Sequence, residues 1–347
     1  MEESLECVGV IGAGSFGVAV ANLLAKNTDV KLYARKPEQV KEINERRFRH
    51  GVAVHERITA INSLEDLATG CQLIFPIVPS SEFRKMMQSL GPFLRPSHVL
   101  VHGTKGLDYT GPSENGIPAA GFKRTDLHTM TEVIRQESLV VRTGILAGPN
   151  LAREILDGQP TATVIASKFD EVIERAQAVL ASDQLFVFGN HDLLGAELAG
   201  VLKNVIALGS GILKGYGFGK NIQAMLITRG FVEMIHFGRA LGSDTRAFFG
   251  TAGIGDLIAT ATSRKSRNYT FGYRIGTGET LEDVRSTSVE LAEGVRTLMM
   301  TRHLAKTIKL RVPITEMLYR IIFEGFPVDK AMDFLMSYPY DVDVDFL

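Results

Sequence analysis

The strongest constraint on the fold lies near the start of the chain. The run CVGVI at residues 7–11 is short and wholly apolar, as a strand buried on both faces must be. It meets GAGSFG at 12–17, and residues 18–26 then place Val20, Leu23 and Leu24 on one helical face. A second apolar strand, VKLYA at 30–34, follows directly. Strand, glycine-rich turn, helix and strand fall within about 30 residues, the spacing of a dinucleotide-binding βαβ unit. Gly12 permits the tight turn, Gly14 lets backbone approach a pyrophosphate, and Gly17 lets helix and strand pack closely. Free N–H groups at the helix start then meet the phosphate charge.

The end of the second strand reports on the cofactor. An acid there would hold the ribose 2′-hydroxyl of NAD, but the chain gives Ala34, Arg35 and Lys36, with no acid before Glu38. Arg35 suits a 2′-phosphate, so NADPH is expected to be accepted, alongside NADH. Further strands at 73–78 and 99–102 end in Pro79-Ser80-Ser81 and in GTKG at 103–106. Loops at the carboxyl edge of a parallel sheet are where ligands bind, so Lys105 is placed to meet an anion or a carbonyl oxygen. Residues 109–129 read as a long irregular insertion with Gly-Pro and Asn-Gly turn signals. LAGPN at 146–150 precedes a helix beginning at Leu151, for which Asn150 is the expected cap.

A chain of 347 residues is too long for one ordinary core and suggests two domains. The last sheet strand falls at 185–188, and Gly189-Asn190 is the expected boundary. Residues 1–189 then form a Rossmann-type α/β domain and 190–347 an all-α domain, with helices at 192–213, 221–241, 290–305 and 313–324. The net charge of −1 gives no general attraction to nucleic acid or anionic membrane. Cys7 and Cys71 are the two cysteines, without metal or redox spacing, which fits a reducing compartment. The start of the chain has no targeting pattern, and no run of about 18 apolar residues stands out to span a bilayer. A soluble, cytoplasmic protein without a metal site is expected.

In the helical half, GAELAGVLKN at 195–204 sets Lys203 among small residues. Ala196, Ala199, Gly200 and Ala207 share its face, beside an apolar stripe of Leu198, Leu202, Val205 and Ile206. Either this lysine snorkels at the rim of a core helix, or a second molecule approaches its ammonium over that flat face. In the second case desolvation lowers its pKa and suits it to proton transfer. Asp256, after the glycines of GTAGIG at 250–255, either caps the next helix or faces a ligand. Ser266, Arg267 and Asn268 form a donor cluster that suits phosphate, the alternative being an exposed basic turn. Glu293 holds a nicotinamide ribose or faces solvent.

Taken together, GAGSFG, Val78-Pro79-Ser80, Lys105-Gly106, Gly148-Pro149-Asn150, ELAGVLKNV at 197–205, LITRG at 226–230, GDL at 255–257 and Ser266-Arg267-Asn268 resemble the NAD(P)-dependent glycerol-3-phosphate dehydrogenases of bacterial type. The likeness runs over nearly the whole chain. It implies reversible reduction of dihydroxyacetone phosphate to sn-glycerol 3-phosphate with NADPH or NADH, for glycerophospholipid synthesis. By motif position Lys203 matches the proton donor and acceptor, and Lys105 a residue touching both substrate and cofactor. Gly148, Asn150, Asp256, Ser266, Arg267 and Asn268 match substrate contacts, Arg267 also reaching the cofactor. Ser15, Phe16, Arg35, Ala152, Leu291 and Glu293 fall on cofactor positions. Tyr33 stands where tryptophan is usual, Asn150 where serine is common, and Phe48-Arg-His-Gly51 replaces an expected Asn-to-Leu-Pro stretch. A homodimer is expected. The rivals are a hydroxyacid or sugar-acid dehydrogenase of the same clan and a non-catalytic NADPH sensor.

Overall fold

The structure, a computed structural model, describes residues 7–114, 117–118, 122–287 and 293–339. The chain forms two compact units. The first comprises the described residues up to Asp108 together with His128–Leu193; the second takes Tyr109–Leu127 and the described residues from Leu194 onward. The expected boundary at 189–190 thus falls four residues early by number, at the end of a strand, and the 109–129 insertion belongs mainly with the helical unit.

In the first unit eight strands form one sheet: β1 (Val8–Ile11), β2 (Val30–Tyr33), β3 (Ile58–Ile61), β4 (Leu73–Pro76), β5 (Val99–His102), β6 (Arg142–Ala147), β7 (Thr161–Ser167) and β8 (Leu185–Asn190). Their order is β8-β7-β6-β5-β4-β1-β2-β3. Val10 pairs with Leu32 on one side and Phe75 on the other, both in parallel register. The chain leaves β1 toward β2 and β3, then returns to the other side of β1 for β4. That reversal makes the carboxyl ends of β1 and β4 the switch point where such sheets bind ligands.

Every residue of β1, β4 and β5 is buried, which explains their unbroken apolar runs. Helices α1 (Ser15–Leu24), α2 (Pro37–Arg46), α3 (Leu64–Gly70), α4 (Ser80–Leu90), α5 (Met130–Glu137), α6 (Ala152–Leu156) and α7 (Asp170–Leu180) alternate with the strands. The sheet is not parallel throughout. β6 and β7 pair antiparallel, Ile145 opposite Ala166, and only the single-turn α6 lies between them.

The second unit is helical: α8 (Leu193–Tyr216), α9 (Lys220–Ala240), α10 (Asp256–Ala261), α11 (Arg267–Gly276), α12 (Leu281–Thr287), α13 (Glu293–Thr307), α14 (Pro313–Glu324) and α15 (Val328–Ser337). By length and composition α8 could cross a membrane, against expectation, yet its apolar window is wholly buried. It is a core helix. Glycines let α8 and α11 touch backbone to backbone: a Cβ on Gly211 would lie 2.1 Å from the Tyr269 carbonyl oxygen, and one on Gly272 2.0 Å from that of Leu208. From the insertion, Phe122 stacks on Tyr109 at 5.3 Å and its carbonyl accepts from Thr307 on α13.

Candidate functional site

The glycine-rich turn joins β1 to α1. Gly12 has φ +118°, and a Cβ there would lie 2.1 Å from the Ile77 carbonyl oxygen. A Cβ on Gly17 would sit 1.8 Å from the carbonyl oxygen of Gly12. A Cβ on Gly14 would meet nothing within 4 Å. The outer glycines are therefore required by the protein's own packing, whereas the middle one keeps open space in front of a helix start. Gly14 caps α1 without a side chain, so the N–H groups of its first turn, at Ser15 and Phe16, stay available to an anion. These features fit a dinucleotide pyrophosphate.

Other parts of the first unit converge on this turn. The Phe16 ring lies against Gly103, just after β5, where a Cβ would meet it at 3.1 Å. Arg35 follows β2 with its side chain 75% exposed, in a loose 3.7 Å pair with Glu82. His50, from a small hairpin of Phe48–Arg49 with Val52–Ala53, brings Nε2 within 2.9 Å of the Ala13 carbonyl oxygen. Nothing local in the Phe48-Arg-His-Gly51 stretch points to that contact.

Lys105 donates to the Gly148 carbonyl at 2.9 Å, so two expected site residues meet. Asn150 is not the cap of α6: Leu151 holds that position, while the Asn150 amide donates to Thr163 Oγ1 on β7 at 3.0 Å. That leaves Asn150 Oδ1 a buried acceptor without a partner among the described residues. Ala152 opens α6.

The second constellation lies in the helical unit. Lys203 is only 6% exposed, and Ala196, Ala199, Gly200 and Ala207 beside it are buried too. The face expected to be open is therefore covered. The Lys203 ammonium donates to Asp256 Oδ1 at 2.5 Å and to Thr260 Oγ1 at 2.6 Å. Asp256 is thus the lysine's partner, at the first position of α10, with Gly255 as the cap. Thr260 was not foreseen, although its i+4 spacing from Asp256 puts both on one face of α10. A single-turn π-helix, Thr251–Gly255, leads into α10.

The donor cluster is the start of α11. Ser266 is its cap, its Oγ accepting from the Tyr269 N–H at 3.3 Å, and Arg267 follows, exposed, as the first helical residue. Asn268 is buried and held by two hydrogen bonds within the protein: it donates to Asn204 Oδ1 at 2.8 Å and accepts from the Gly294 N–H at 2.9 Å. Asn204, also missed from sequence, therefore ties the residue after Lys203 to the α11 start. Glu293 opens α13 beside Gly294. Leu291 lies outside the described residues. No cluster of three metal-ligating side chains occurs among the described residues.

A strand-order reversal at an open glycine turn, with a buried lysine–aspartate pair in a helical unit, defines a two-domain dehydrogenase using a nicotinamide dinucleotide. The comparisons with known proteins narrow this. Residues 7–173 match the family model for the N-terminus of NAD-dependent glycerol-3-phosphate dehydrogenase, and residues 192–333 that for its C-terminus. The chain is 39% identical to a glycerol-3-phosphate dehydrogenase (NAD(P)+) of Pseudomonas aeruginosa, over 98% of this chain and 97% of that one. It is 35% identical to the enzyme of that name from Alcanivorax borkumensis, over 100% and 98%. The crystal structure of glycerol-3-phosphate dehydrogenase from Coxiella burnetii superposes with a TM-score of 0.84 at 28% identity, covering 96% of this chain and 99% of that one. The chain belongs to the NAD(P)-dependent glycerol-3-phosphate dehydrogenase family.

Proposed function

We propose that this chain reduces dihydroxyacetone phosphate reversibly to sn-glycerol 3-phosphate with Lys203 as the proton donor. The observation that carries the assignment is a buried ammonium fixed by Asp256 and Thr260. Bound NADH or NADPH supplies the hydride. As the ketone carbon is reduced, its oxygen gains negative charge; the Lys203 ammonium stabilises that charge and hands over a proton. Asp256 holds the ammonium in place through the step. Arg267, with the N–H groups at the α11 start, holds the substrate phosphate, so binding energy remote from the carbonyl orients it.

The glycine turn with Ser15 and Phe16 would hold the pyrophosphate, and Arg35 a 2′-phosphate, which supports acceptance of NADPH as well as NADH. Ala152, Leu291 and Glu293 keep the cofactor contacts, and Lys105, Gly148, Asn150 and Ser266 the substrate contacts, that the family resemblance implies. The unpartnered Asn150 acceptor supports a substrate hydroxyl there. Asn268, positioned by Asn204 and Gly294, keeps through its second amide hydrogen the phosphate contact that the resemblance implies. The product would feed glycerophospholipid synthesis in the cytoplasm. A homodimer is supported by the exposed apolar side chains Phe249, Ile254 and Ile258 of the helical unit.

The test is oxidation of NADH and NADPH with dihydroxyacetone phosphate beside a panel of keto acids. Turnover confined to dihydroxyacetone phosphate is expected. Reduction of a keto acid with dihydroxyacetone phosphate inert would overturn the assignment in favour of a hydroxyacid dehydrogenase. Sedimentation at equilibrium decides the dimer.

A further inference from the structure

Cys7 and Cys71 take no part in the chemistry above. Cys7 stands just before β1 and is half-buried; Cys71 is the residue after α3 and is buried. Their sulfurs lie 3.6 Å apart, the Cys71 thiol donating to Cys7 Sγ. The strands that follow them are sheet neighbours, with Gly9 opposite Ile74. Extending that register sets Cys7 opposite Gln72, one residue from Cys71. Adjacent strands run about 4.8 Å apart, within the range of backbone separations a disulfide spans. Cys71 is offset by one residue, about 3.3 Å along the strand, which makes the backbone separation about 6 Å, still within a disulfide's span, and the sulfurs already face each other.

The two thiols are chemically unlike. The hydrogen bond from Cys71 lowers the pKa of Cys7 to about 7 against the opposing effect of burial; Lys31 on β2 also lowers it and Asp29 raises it. Cys71 is pushed strongly up, first by the hydrogen bond it donates and then by burial, so it remains a protonated thiol. A reachable thiolate beside a shielded thiol is the arrangement in which one sulfur meets an oxidant and the other resolves the product.

We propose that Cys7 and Cys71 form a reversible, peroxide-driven disulfide, a modification site on the dinucleotide-binding unit separate from its glycine turn. The Cys7 thiolate attacks one oxygen of a hydroperoxide; the O–O bond breaks, giving a Cys7 sulfenic acid and a hydroxide or alkoxide that takes up the proton Cys7 lost. Cys71 Sγ then attacks Cys7 Sγ, the S–O bond breaks, and the departing hydroxide leaves as water with the Cys71 proton. With hydrogen peroxide the sum is two thiols and one peroxide to one disulfide and two waters. A dithiol reductant reverses it by exchange. The bond would tie residues 64 apart in sequence at the amino end of β1, whereas Gly12 follows its carboxyl end. Oxidation is therefore expected to raise the melting temperature and to leave the KM for the cofactor unchanged.

Because the chain has two cysteines, the intact mass decides the matter. Full-length protein is treated with hydrogen peroxide, denatured, alkylated with N-ethylmaleimide and weighed. A monomer lighter by two hydrogens, carrying no alkyl group and regaining two alkylatable thiols after dithiothreitol, is expected. In Cys71→Ala, Cys7 should stop at a sulfenic acid that dimedone traps; in Cys7→Ala, Cys71 should react several-fold more slowly. Two thiols still alkylatable after peroxide oxidises Cys7 in the Cys71→Ala protein would overturn the proposal. So would sulfinic acid at Cys7 in the unaltered chain, disulfides only between molecules, or a melting temperature that oxidation leaves unmoved.

Discussion

The glycine turn of the first unit and the buried lysine–aspartate pair of the second solve the problem of placing polar groups by opposite means. At the turn the functional groups are backbone N–H donors at the start of α1, and side chains matter mainly by their absence, as the empty space around Gly14 shows. In the helical unit the functional groups are side-chain charges drawn into the interior, Lys203 with Asp256, and each needs a partner there. A backbone site costs little to keep and is written in a few adjacent residues. A buried charge must be matched by partners supplied from distant segments.

Substitutions can break this contrast. The largest effect is expected at Lys203→Met, where kcat should fall about a thousandfold through loss of the proton donor while NADPH still binds. The same change strands Asp256 and should lower stability by about 3–5 kcal/mol. Adding Asp256→Asn should restore much of the melting temperature and none of the turnover. Substantial activity in either protein would remove Lys203 from the chemistry.

Next comes Gly12→Ala, which meets both a positive φ and the Ile77 carbonyl; a loss of about 3 kcal/mol or more in denaturant unfolding is expected. Gly14→Ala should instead leave unfolding unchanged and weaken NADPH binding about tenfold, or 1.4 kcal/mol, by titration fluorescence. Equal damage from both glycines would mean that the middle one serves packing.

Glu233 tests the second half of the contrast. It is buried on α9, and its carboxyl accepts from the Ile314 N–H at 2.6 Å, the Thr315 N–H at 3.1 Å and Thr315 Oγ1 at 2.8 Å, clasping the start of α14. Burial nevertheless raises its pKa from 4.5 to about 7, the three donors opposing. A raised folded pKa means that the folded protein binds the extra proton. This stabilisation is complete below about pH 4.5 and is lost as pH rises to about 7. Glu233→Gln should flatten the fall in melting temperature between pH 5 and 7.5, a change of order 2 kcal/mol. An identical slope in the variant would mean another group titrates.

The smallest effect is expected at Arg35→Ala. Its side chain is mostly exposed and its pair with Glu82 is loose, so only a several-fold rise in KM for NADPH is expected, with NADH unaffected. Equal changes for both cofactors would remove the 2′-phosphate contact.

How far these features could be read in the sequence follows from how local each one is. Gly12, Gly14 and Gly17 announced the turn because its geometry involves neighbours in the chain. The expected cap at Asn150 failed because its side chain found Thr163 on β7, a partner no local rule supplies. Ser266 shows the reverse: read as a phosphate donor, it also caps α11. Residues 109–129 were visible as an insertion, but their place beside α13 depends on Phe122 meeting Thr307, 185 residues on. Part of that segment lies outside the described residues.

By itself the sequence determined the class of fold, the dinucleotide turn, the two-part organisation and the lysine on a helix of small residues. Periodicity and glycine spacing are local quantities, and they carry that much. Only the tertiary structure decided that α8, apolar enough for a membrane, is a buried core helix, and that β7 runs against β6. It also decided that Asp256 and Thr260 close on Lys203, and that Asn204 holds Asn268. Those outcomes depend on which distant surfaces exclude water together, and a buried charge takes whatever partner that packing brings within reach.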